Sequence, residues 1–180
     1  MPRINVLEPS QANAEQQALL ASVQRQFGRV PNLFGTLAHS AVALKAVLGL
    51  RGVADGGALT PQTRERIALA LAQKNGCEYC LATHTVSGRK VGLTGDEIAS
   101  NRAGDSEDAR ASVAVRLARS LSEHKGEISS AELIEAREAG YSDAELLEII
   151  THVGLNLLTQ ILSKASRVEL DSPKVALYGL

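Results

Sequence analysis

Helix start signals recur along the chain, whereas strand signals are nearly absent. Residues of high strand propensity never alternate with polar ones for more than a few positions, so no segment has the pattern of a half-buried strand. Three segments carry Ser or Thr followed three residues later by Glu, the capping box that begins a helix: Thr94–Glu97, Ser129–Glu132 and Ser142–Glu145. The chain is therefore predicted to be all-α, with seven or eight helices.

Apolar residues spaced at the helical period predict where the other helices lie. Gly28 closes one such stripe, Ser40 caps another, and Thr60-Pro61 combines an N-cap with a proline in the first turn. A short helix follows the turn at Pro31, and the tail after Pro173 is predicted to be extended. The longer helices are predicted over residues 14–27, 40–53, 60–75, 106–125 and 143–167.

Length and composition narrow the possible classes of protein. A chain of 180 residues fits a single domain, residues 1–180, and nothing resembling a linker divides it. The net charge of −1 argues against a nucleic-acid partner, because such proteins usually carry an excess of Lys and Arg. The N-terminus is too polar for a secretory signal and no run of 18 apolar residues occurs, so we expect a cytoplasmic protein without a membrane span.

Only two cysteines are present, Cys77 and Cys80, and two residues separate them. A pair this close cannot staple a domain, and in the cytoplasm it is more typical of redox or metal chemistry. On a helix with about 100° per residue, Cys77, Cys80 and His84 fall within a sector of about 60°, while Tyr79 points elsewhere. The imidazole, four residues beyond Cys80, is expected to take or stabilise the thiol proton.

Glu65 lies on the helix before the cysteine pair. Antiparallel packing through a turn at Asn75-Gly76 is expected to bring its carboxylate toward His84 and so to orient the imidazole. Which thiol is more acidic stays open at this point, because the helix dipole favours Cys77 whereas the nearby histidine favours Cys80. A zinc site and inert buried thiols are the alternatives, although no second ligand pair follows.

Other polar residues receive structural interpretations. His152 is expected in the core or at a subunit interface, and Asn156 and Gln160 are expected to form hydrogen bonds between helices or subunits. His39 and His124, near helix ends, are expected to be solvated or capping. The long apolar helix over residues 143–167 suggests burial against other copies of the chain.

The segment from Thr60 to His84 resembles the alkylhydroperoxidase D-like branch of the carboxymuconolactone decarboxylase superfamily. The family pattern is Glu, eleven residues, Cys, two residues, Cys, three residues and His, and it is matched by Glu65, Cys77, Cys80 and His84. The upstream G-R-V-P-N-L-F-G, beginning at Gly28, resembles the segment that precedes this motif in the peroxidase-related members. The resemblance implies an all-helical fold, a homotrimer or homohexamer, and reduction of organic hydroperoxides in antioxidant defence, with no cofactor or metal.

The resemblance also implies a role for each matching residue. Cys80 attacks the peroxide, Cys77 resolves the sulfenic acid as a disulfide, and Glu65 and His84 relay the proton. An external dithiol, such as a thioredoxin-like protein, then restores the pair. Tyr79 departs from the histidine of the best-known members, which puts the full relay in question. A decarboxylase-like enzyme and a non-catalytic redox-sensing oligomer are the alternative functions.

Overall fold

The computed structural model describes residues 1–178, which form nine α-helices and no strand. The helices are α1 Ala14–Phe27, α2 Asn32–Leu37, α3 Ala41–Asp55, α4 Pro61–Lys74, α5 Glu78–Lys90, α6 Gly95–Ala103, α7 Ala109–Glu123, α8 Ser130–Glu138 and α9 Asp143–Ser166. The predicted all-α class is confirmed. The count exceeds the seven or eight expected because α2 has only six residues and α6 and α8 nine each, which is too short for a clear periodic pattern.

Several helices begin at the N-cap residues that the local sequence predicts. Ser129 and Ser142 form complete capping boxes, and Thr60 and Ser40 cap α4 and α3. Of the two hydrogen bonds in the capping box predicted at Thr94, only one forms. Thr94 does accept the backbone N–H of Glu97, but the Glu97 carboxylate turns inward and does not return to Thr94.

The Glu97 carboxylate instead joins three parts of the chain. It accepts hydrogen bonds from Arg66 Nε at 2.5 Å, Asn101 Nδ2 at 3.0 Å, Ser106 Oγ at 2.6 Å and the N–H of Glu107 at 2.7 Å. These bonds fasten α6 and the loop after it onto α4. A tertiary network therefore outcompetes the local cap.

Helix α4 forms the centre of the fold and packs against α5, α6, α7 and α9. Every residue from Ile67 to Gln73 is buried, so the helix has no face that is exposed along this stretch. Leu69 belongs to a core shared with α1, α2, α3 and α5, whereas Ile67 and Leu71 belong to a second core with α7, α8 and α9. The helix that carries Glu65 is thus held rigidly from both sides.

Helix α9 is long and apolar enough to cross a membrane by length and composition alone, a property that core helices of soluble folds share. Here it packs against α3, α4, α5 and α7. His152 is a buried core residue whose Nε2 lies 3.3 Å from the carbonyl oxygen of Ala54. Gln160 accepts a bond from Asn75 at 2.8 Å, which confirms a bond between helices. Asn156 donates to the carbonyl of His152 in its own helix, and its expected bond to another subunit stays a prediction.

The C-terminal segment after Arg167 runs without helix along the side of the bundle. Asp171 accepts the N–H of Asn32, and Arg29 donates to the Asp171 carbonyl oxygen. Farther along, the Tyr178 carbonyl accepts a bond from Gln73 at 2.8 Å. The extended tail predicted after Pro173 agrees with the structure through residue 178, and the segment covers the end of the bundle where the cysteines lie.

Candidate active site

The two cysteines lie at the junction between α4 and α5. Asn75 ends α4, and Gly76 takes a left-handed conformation with φ of 61°, which turns the chain back on itself. Cys77 is then the N-cap of α5, with φ of −96° and ψ of 93°, so the helix begins at Glu78. The expectation that Cys77 is itself helical is therefore wrong, because the sharp turn at Gly76 sets its backbone.

The Cys77 sulfur caps the helix. It accepts the backbone N–H of Cys80 at 3.3 Å, in the position that a Ser or Asp oxygen usually takes. The hydroxyl of Ser163 on α9 lies 3.2 Å from the Cys77 sulfur and 3.5 Å from the Cys80 sulfur. Both cysteines are reduced, and they are 1% and 4% exposed. The pair is thus enclosed, with polar hydrogens directed at its sulfurs.

These contacts shift the pKa values of the two thiols in opposite directions. The hydrogen bond from the Cys80 thiol lowers the pKa of Cys77 to about 6, against the effect of burial, with help from Ser163 and the Cys80 N–H. The same hydrogen bond, together with burial, raises the pKa of Cys80 well above its usual range. At neutral pH the pair therefore holds one negative charge, which rests on Cys77, and one proton, which rests on Cys80.

The structure brings Glu65 and His84 together, as the sequence predicts. The Nδ1 atom of His84 lies 2.8 Å from Oε2 of Glu65. Both side chains are mostly buried, with 15% of the His84 surface and 14% of the Glu65 surface exposed. Because Glu65 takes Nδ1, the Nε2 atom is the ring nitrogen left for other chemistry. The carboxylate fixes the orientation of the ring.

A cavity of about 130 Å³ connects Cys80 with His84. Part of its wall is apolar and is formed by Phe27, Leu33, Phe34, Val47 and Val86. Arg29, Arg51 and Lys90 form the charged part. The volume is below the roughly 300–1,000 Å³ typical of ligand pockets, so it suits a small molecule or one end of a larger one.

Tyr79 also lines this cavity, although its helical phase predicts that it points elsewhere. The reason is that the tail and the start of α2 cover the face of α5 that the phase argument left open. The Tyr79 hydroxyl accepts the N–H of Leu33 at 3.2 Å and donates to Asp171 Oδ2 at 3.2 Å. Burial raises the pKa of this phenol, so it stays protonated.

A second cavity, of about 380 Å³, lies on the other side of the pair and is lined by Cys77 but not by Cys80. Ser163, Lys164 and Arg167 from the end of α9 contribute to its wall, as does Tyr79. Tyr79 therefore stands between the two cavities. Each sulfur has its own approach from outside the pair.

The sequence prediction missed Ser163 as a site residue, since it interpreted the helix over residues 143–167 only as a surface buried against other copies of the chain. Its contact with the sulfurs spans 86 residues and depends on how α9 crosses α5. As for a metal, no group of three or more His, Cys, Asp or Glu side chains within residues 1–178 is arranged to hold an ion. The donors near the pair are hydroxyl and backbone groups rather than further metal ligands.

Fold and site together define an all-helical dithiol protein with a histidine–carboxylate pair beside one of its thiols. A family model matches residues 41–120, and its description is the carboxymuconolactone decarboxylase family. That segment contains α4 and α5 with all four motif residues. No curated protein matches the sequence.

Several solved structures share the fold. A peroxidase-related protein from Silicibacter sp. TM1040 has 23% identity and a TM-score of 0.80, covering 97% of this chain and 94% of its own. An alkylhydroperoxidase AhpD core protein, described as peroxidase-related, from Ralstonia eutropha JMP134 has 24% identity and a TM-score of 0.83, covering 94% and 92%. The debrominase Bmp8 has 14% identity and a TM-score of 0.76, covering 93% and 91%.

The solved structures show that the chain has the fold of alkylhydroperoxidase D-like proteins, and the family model matches the segment that carries the motif, in agreement with the resemblance seen in the sequence. Because the similar structures carry different activities by name, the fold alone does not determine the reaction. The activity has to be argued from this site.

Proposed function

We propose that the protein is a thiol-dependent peroxidase that reduces organic hydroperoxides through a disulfide cycle of Cys77 and Cys80. The observation that carries the proposal is the enclosed, reduced thiol pair, of which Cys80 lines a cavity together with His84, whose ring is held by Glu65. A low-pKa thiolate beside a second thiol is the arrangement that supports peroxide reduction and disulfide closure.

The cycle has three balanced steps. The thiolate attacks the distal peroxide oxygen, the O–O bond breaks, and a proton converts the departing alkoxide to an alcohol, leaving a sulfenic acid. The second thiol then attacks the sulfenic sulfur and water leaves, which closes the disulfide. An external dithiol reduces this disulfide by exchange and becomes a disulfide itself.

We assign the attack to Cys80, because its sulfur faces the cavity that His84 lines. The resting charge lies on Cys77, so the Cys80 proton must first move, either across the hydrogen bond to Cys77 or to His84. We choose the second route, because it gives Nε2 of His84 a proton, which the ring, held by Glu65 through Nδ1, then returns to the departing alkoxide.

The reductant is proposed to approach from the other side. Cys77 lines the second cavity, whose wall carries the cations Lys164 and Arg167 and one acidic residue, Glu78. A thioredoxin-like dithiol that attacks Cys77 there would not have to displace the product alcohol from the first cavity. A reducing compartment such as the cytoplasm suits this cycle.

We also propose that the chain forms a homo-oligomer. Apolar side chains on the outer face of α9 are exposed at helical spacing, namely Leu147, Ile150, Leu158 and Ile161, with Val42 and Val53 exposed on α3. Exposed apolar faces of this kind are typical of protein interfaces. Light scattering on the purified protein tests this, and a monomer would contradict it.

The experiment is a turnover assay with cumene hydroperoxide and a dithiol reductant, comparing wild type with Cys80→Ser and Cys77→Ser. Trapping with dimedone and mass spectrometry locates the sulfenic acid. We expect Cys80→Ser to lose turnover and Cys77→Ser to accumulate the label on Cys80. Equal turnover in wild type and Cys80→Ser would refute the function, and a label on Cys77 in Cys80→Ser would reverse the order of the thiols.

A decarboxylase is an alternative function, because the matching family is named for that activity. Decarboxylation of a muconolactone-type substrate that survives in Cys77→Ser/Cys80→Ser would favour that alternative. A slow, stoichiometric reaction with peroxide would favour a redox sensor. One zinc per chain in the purified protein would overturn the redox account.

A further inference from the structure

The charged side of the Cys80 cavity is not used by the proposed thiol chemistry. Among the side chains that line this cavity are three permanent cations, Arg29, Arg51 and Lys90, and no Asp or Glu. A peroxide oxygen needs one proton donor, which His84 provides. Three positive charges at one small cavity require another explanation.

Arg51 is the cation with the least engaged guanidinium. Its Nε atom is buried and has no hydrogen-bond partner within residues 1–178, although Asp55 Oδ2 lies 3.4 Å away. Arg29, by comparison, donates to the carbonyl oxygen of Asp171 at 2.9 Å. Buried polar groups in folded proteins are nearly always paired, so an unpaired arginine nitrogen at a cavity indicates a missing acceptor.

The charge balance around Arg51 supports the same conclusion. Asp55 serves two arginines, since its Oδ1 atom lies 3.7 Å from Arg64 Nε while its Oδ2 atom faces Arg51. Arg64 places its terminal nitrogen on the carbonyls of Asp55 and Leu59. Two guanidinium groups thus share one carboxylate, and the other carboxylate in this recess, that of Glu65, is bound to His84, so Arg51 has no carboxylate of its own.

Apolar side chains lie beside Arg51 on the side of the Cys80 cavity. The Phe27 ring lies 5.5 Å from the centre of the guanidinium, and Val47, one turn earlier on α3, lines the same cavity. Thr83, one turn beyond Cys80, adds a buried hydroxyl without a partner. An apolar body with one anionic group fits this wall, since carbon packs on Phe27 and Val47 while the anion meets Arg51.

We infer that the cavity selects hydroperoxides whose carbon skeleton carries a carboxylate, with Arg51 as the group that binds it. This specificity rests on the proposed peroxidase function. The carboxylate accepts the guanidinium hydrogens that lack a partner, and the hydroperoxide end reaches Cys80 and Thr83. A charge-assisted bond of this kind orients the substrate as well as binding it.

The test uses para-carboxycumene hydroperoxide and its methyl ester, which differ in one charge. The quantity measured is the ratio of kcat/KM for the acid to kcat/KM for the ester. We expect this ratio to fall about tenfold in Arg51→Gln and less in Arg51→Lys, which keeps the charge but loses the fork of donors. The matched control is Lys45→Gln, since Lys45 lies on the same helix and pairs with Glu15 at the surface.

A ratio in Arg51→Gln within about twofold of wild type would overturn the inference, because a charge-assisted bond is worth more than that. If wild type consumes neither hydroperoxide, the proposed function fails instead. Binding then decides the subsite, with benzoate and benzyl alcohol as probes titrated into the reduced protein. We expect benzoate to bind about tenfold more weakly to Arg51→Gln than to wild type, and equal benzoate affinities would refute the subsite.

Discussion

Replacing Ser163 with alanine removes a hydroxyl that contacts both sulfurs. The hydroxyl has one hydrogen, which can be donated to either of two acceptors. It donates to the Gln160 carbonyl at 3.1 Å, or it donates to the Cys77 sulfur at 3.2 Å once that sulfur is a thiolate. The effect of the substitution on the Cys77 pKa is therefore the difference between these two hydrogen bonds.

The magnitude follows from ordinary values. A hydrogen bond to a charged group contributes about 1.5–3 kcal/mol and one between neutral groups about 0.5–1.5 kcal/mol, so the net loss is about 1–1.5 kcal/mol. At about 1.4 kcal/mol per pKa unit, the pKa of Cys77 rises by about one unit. Since the pKa of Cys77 in the wild type is about 6, we expect a value near 7 in Ser163→Ala.

The rate at neutral pH is a poor readout of this change. The fraction of thiolate at pH 7 falls from about nine-tenths to about one-half, but a more basic thiolate is about threefold more nucleophilic, so the two effects nearly cancel. The pH profile separates them. We expect alkylation by iodoacetamide to be about threefold slower in the variant well below its titration midpoint and about threefold faster on the alkaline plateau.

Mass spectrometry of the alkylated protein assigns the profile to Cys77. The matched control is Ser166→Ala, which removes another buried serine hydroxyl from the same helix. We expect its profile to coincide with that of wild type. A Ser163→Ala profile with an unchanged midpoint would refute the view that this hydroxyl stabilises the thiolate.

Three further predictions follow from the structure. Hydrogen bonds from Ser106 and other donors outweigh the burial of Glu97 and lower its pKa from 4.5 to about 2, so Glu97→Gln should reduce the free energy of unfolding at pH 7 by about 3 kcal/mol in urea titrations. The loss should shrink as the pH falls from 4.5 toward 2, where the wild-type carboxylate becomes protonated. Tyr79→Phe removes one of the donors to the Asp171 carboxylate and the acceptor of the Leu33 N–H, and it should cost about 1–2 kcal/mol in the same titration. Glu65→Gln releases the His84 ring and should lower kcat for peroxide reduction by about 10- to 100-fold, with a smaller change in KM.

Each of these predictions has an outcome that contradicts it. For Glu97→Gln it is a stability difference from wild type that stays constant across the acid range. For Tyr79→Phe it is a free energy of unfolding equal to that of wild type. For Glu65→Gln it is an unchanged kcat, or an equal loss in Glu78→Gln, which removes an exposed carboxylate from the first turn of α5.

The parts of the site that are close in sequence could be predicted from it. Spacing alone placed Cys80 and His84 on one side of a helix, and the short turn after α4 brought Glu65 within 2.8 Å of the imidazole. Local arguments succeed here because α4 and α5 are consecutive and antiparallel. The caps at Ser129 and Ser142 succeeded for the same reason.

The contacts that failed are those that depend on distant segments. Ser163 reaches the sulfurs from a helix 86 residues away, and Asp171 meets Tyr79 across 92 residues. Helical phase gives the direction of a side chain but not what covers it, so Tyr79 was predicted away from the site. The capping box at Glu97 failed because Arg66 and Ser106, from other elements, offered its carboxylate more hydrogen bonds than the local cap.

The sulfur that caps α5 also affects the reduction potential of the cysteine pair. A thiolate is a good cap, whereas a disulfide sulfur is a weak one, so the N-terminus of α5 stabilises the reduced state. The hydrogen bond from the Cys80 thiol lowers the pKa of Cys77 most and the Cys80 N–H lowers it further, so ionisation of Cys77 at neutral pH stabilises the reduced state and raises the reduction potential of the disulfide. The disulfide is therefore the more oxidising for this cap, and a mild dithiol suffices to reopen it.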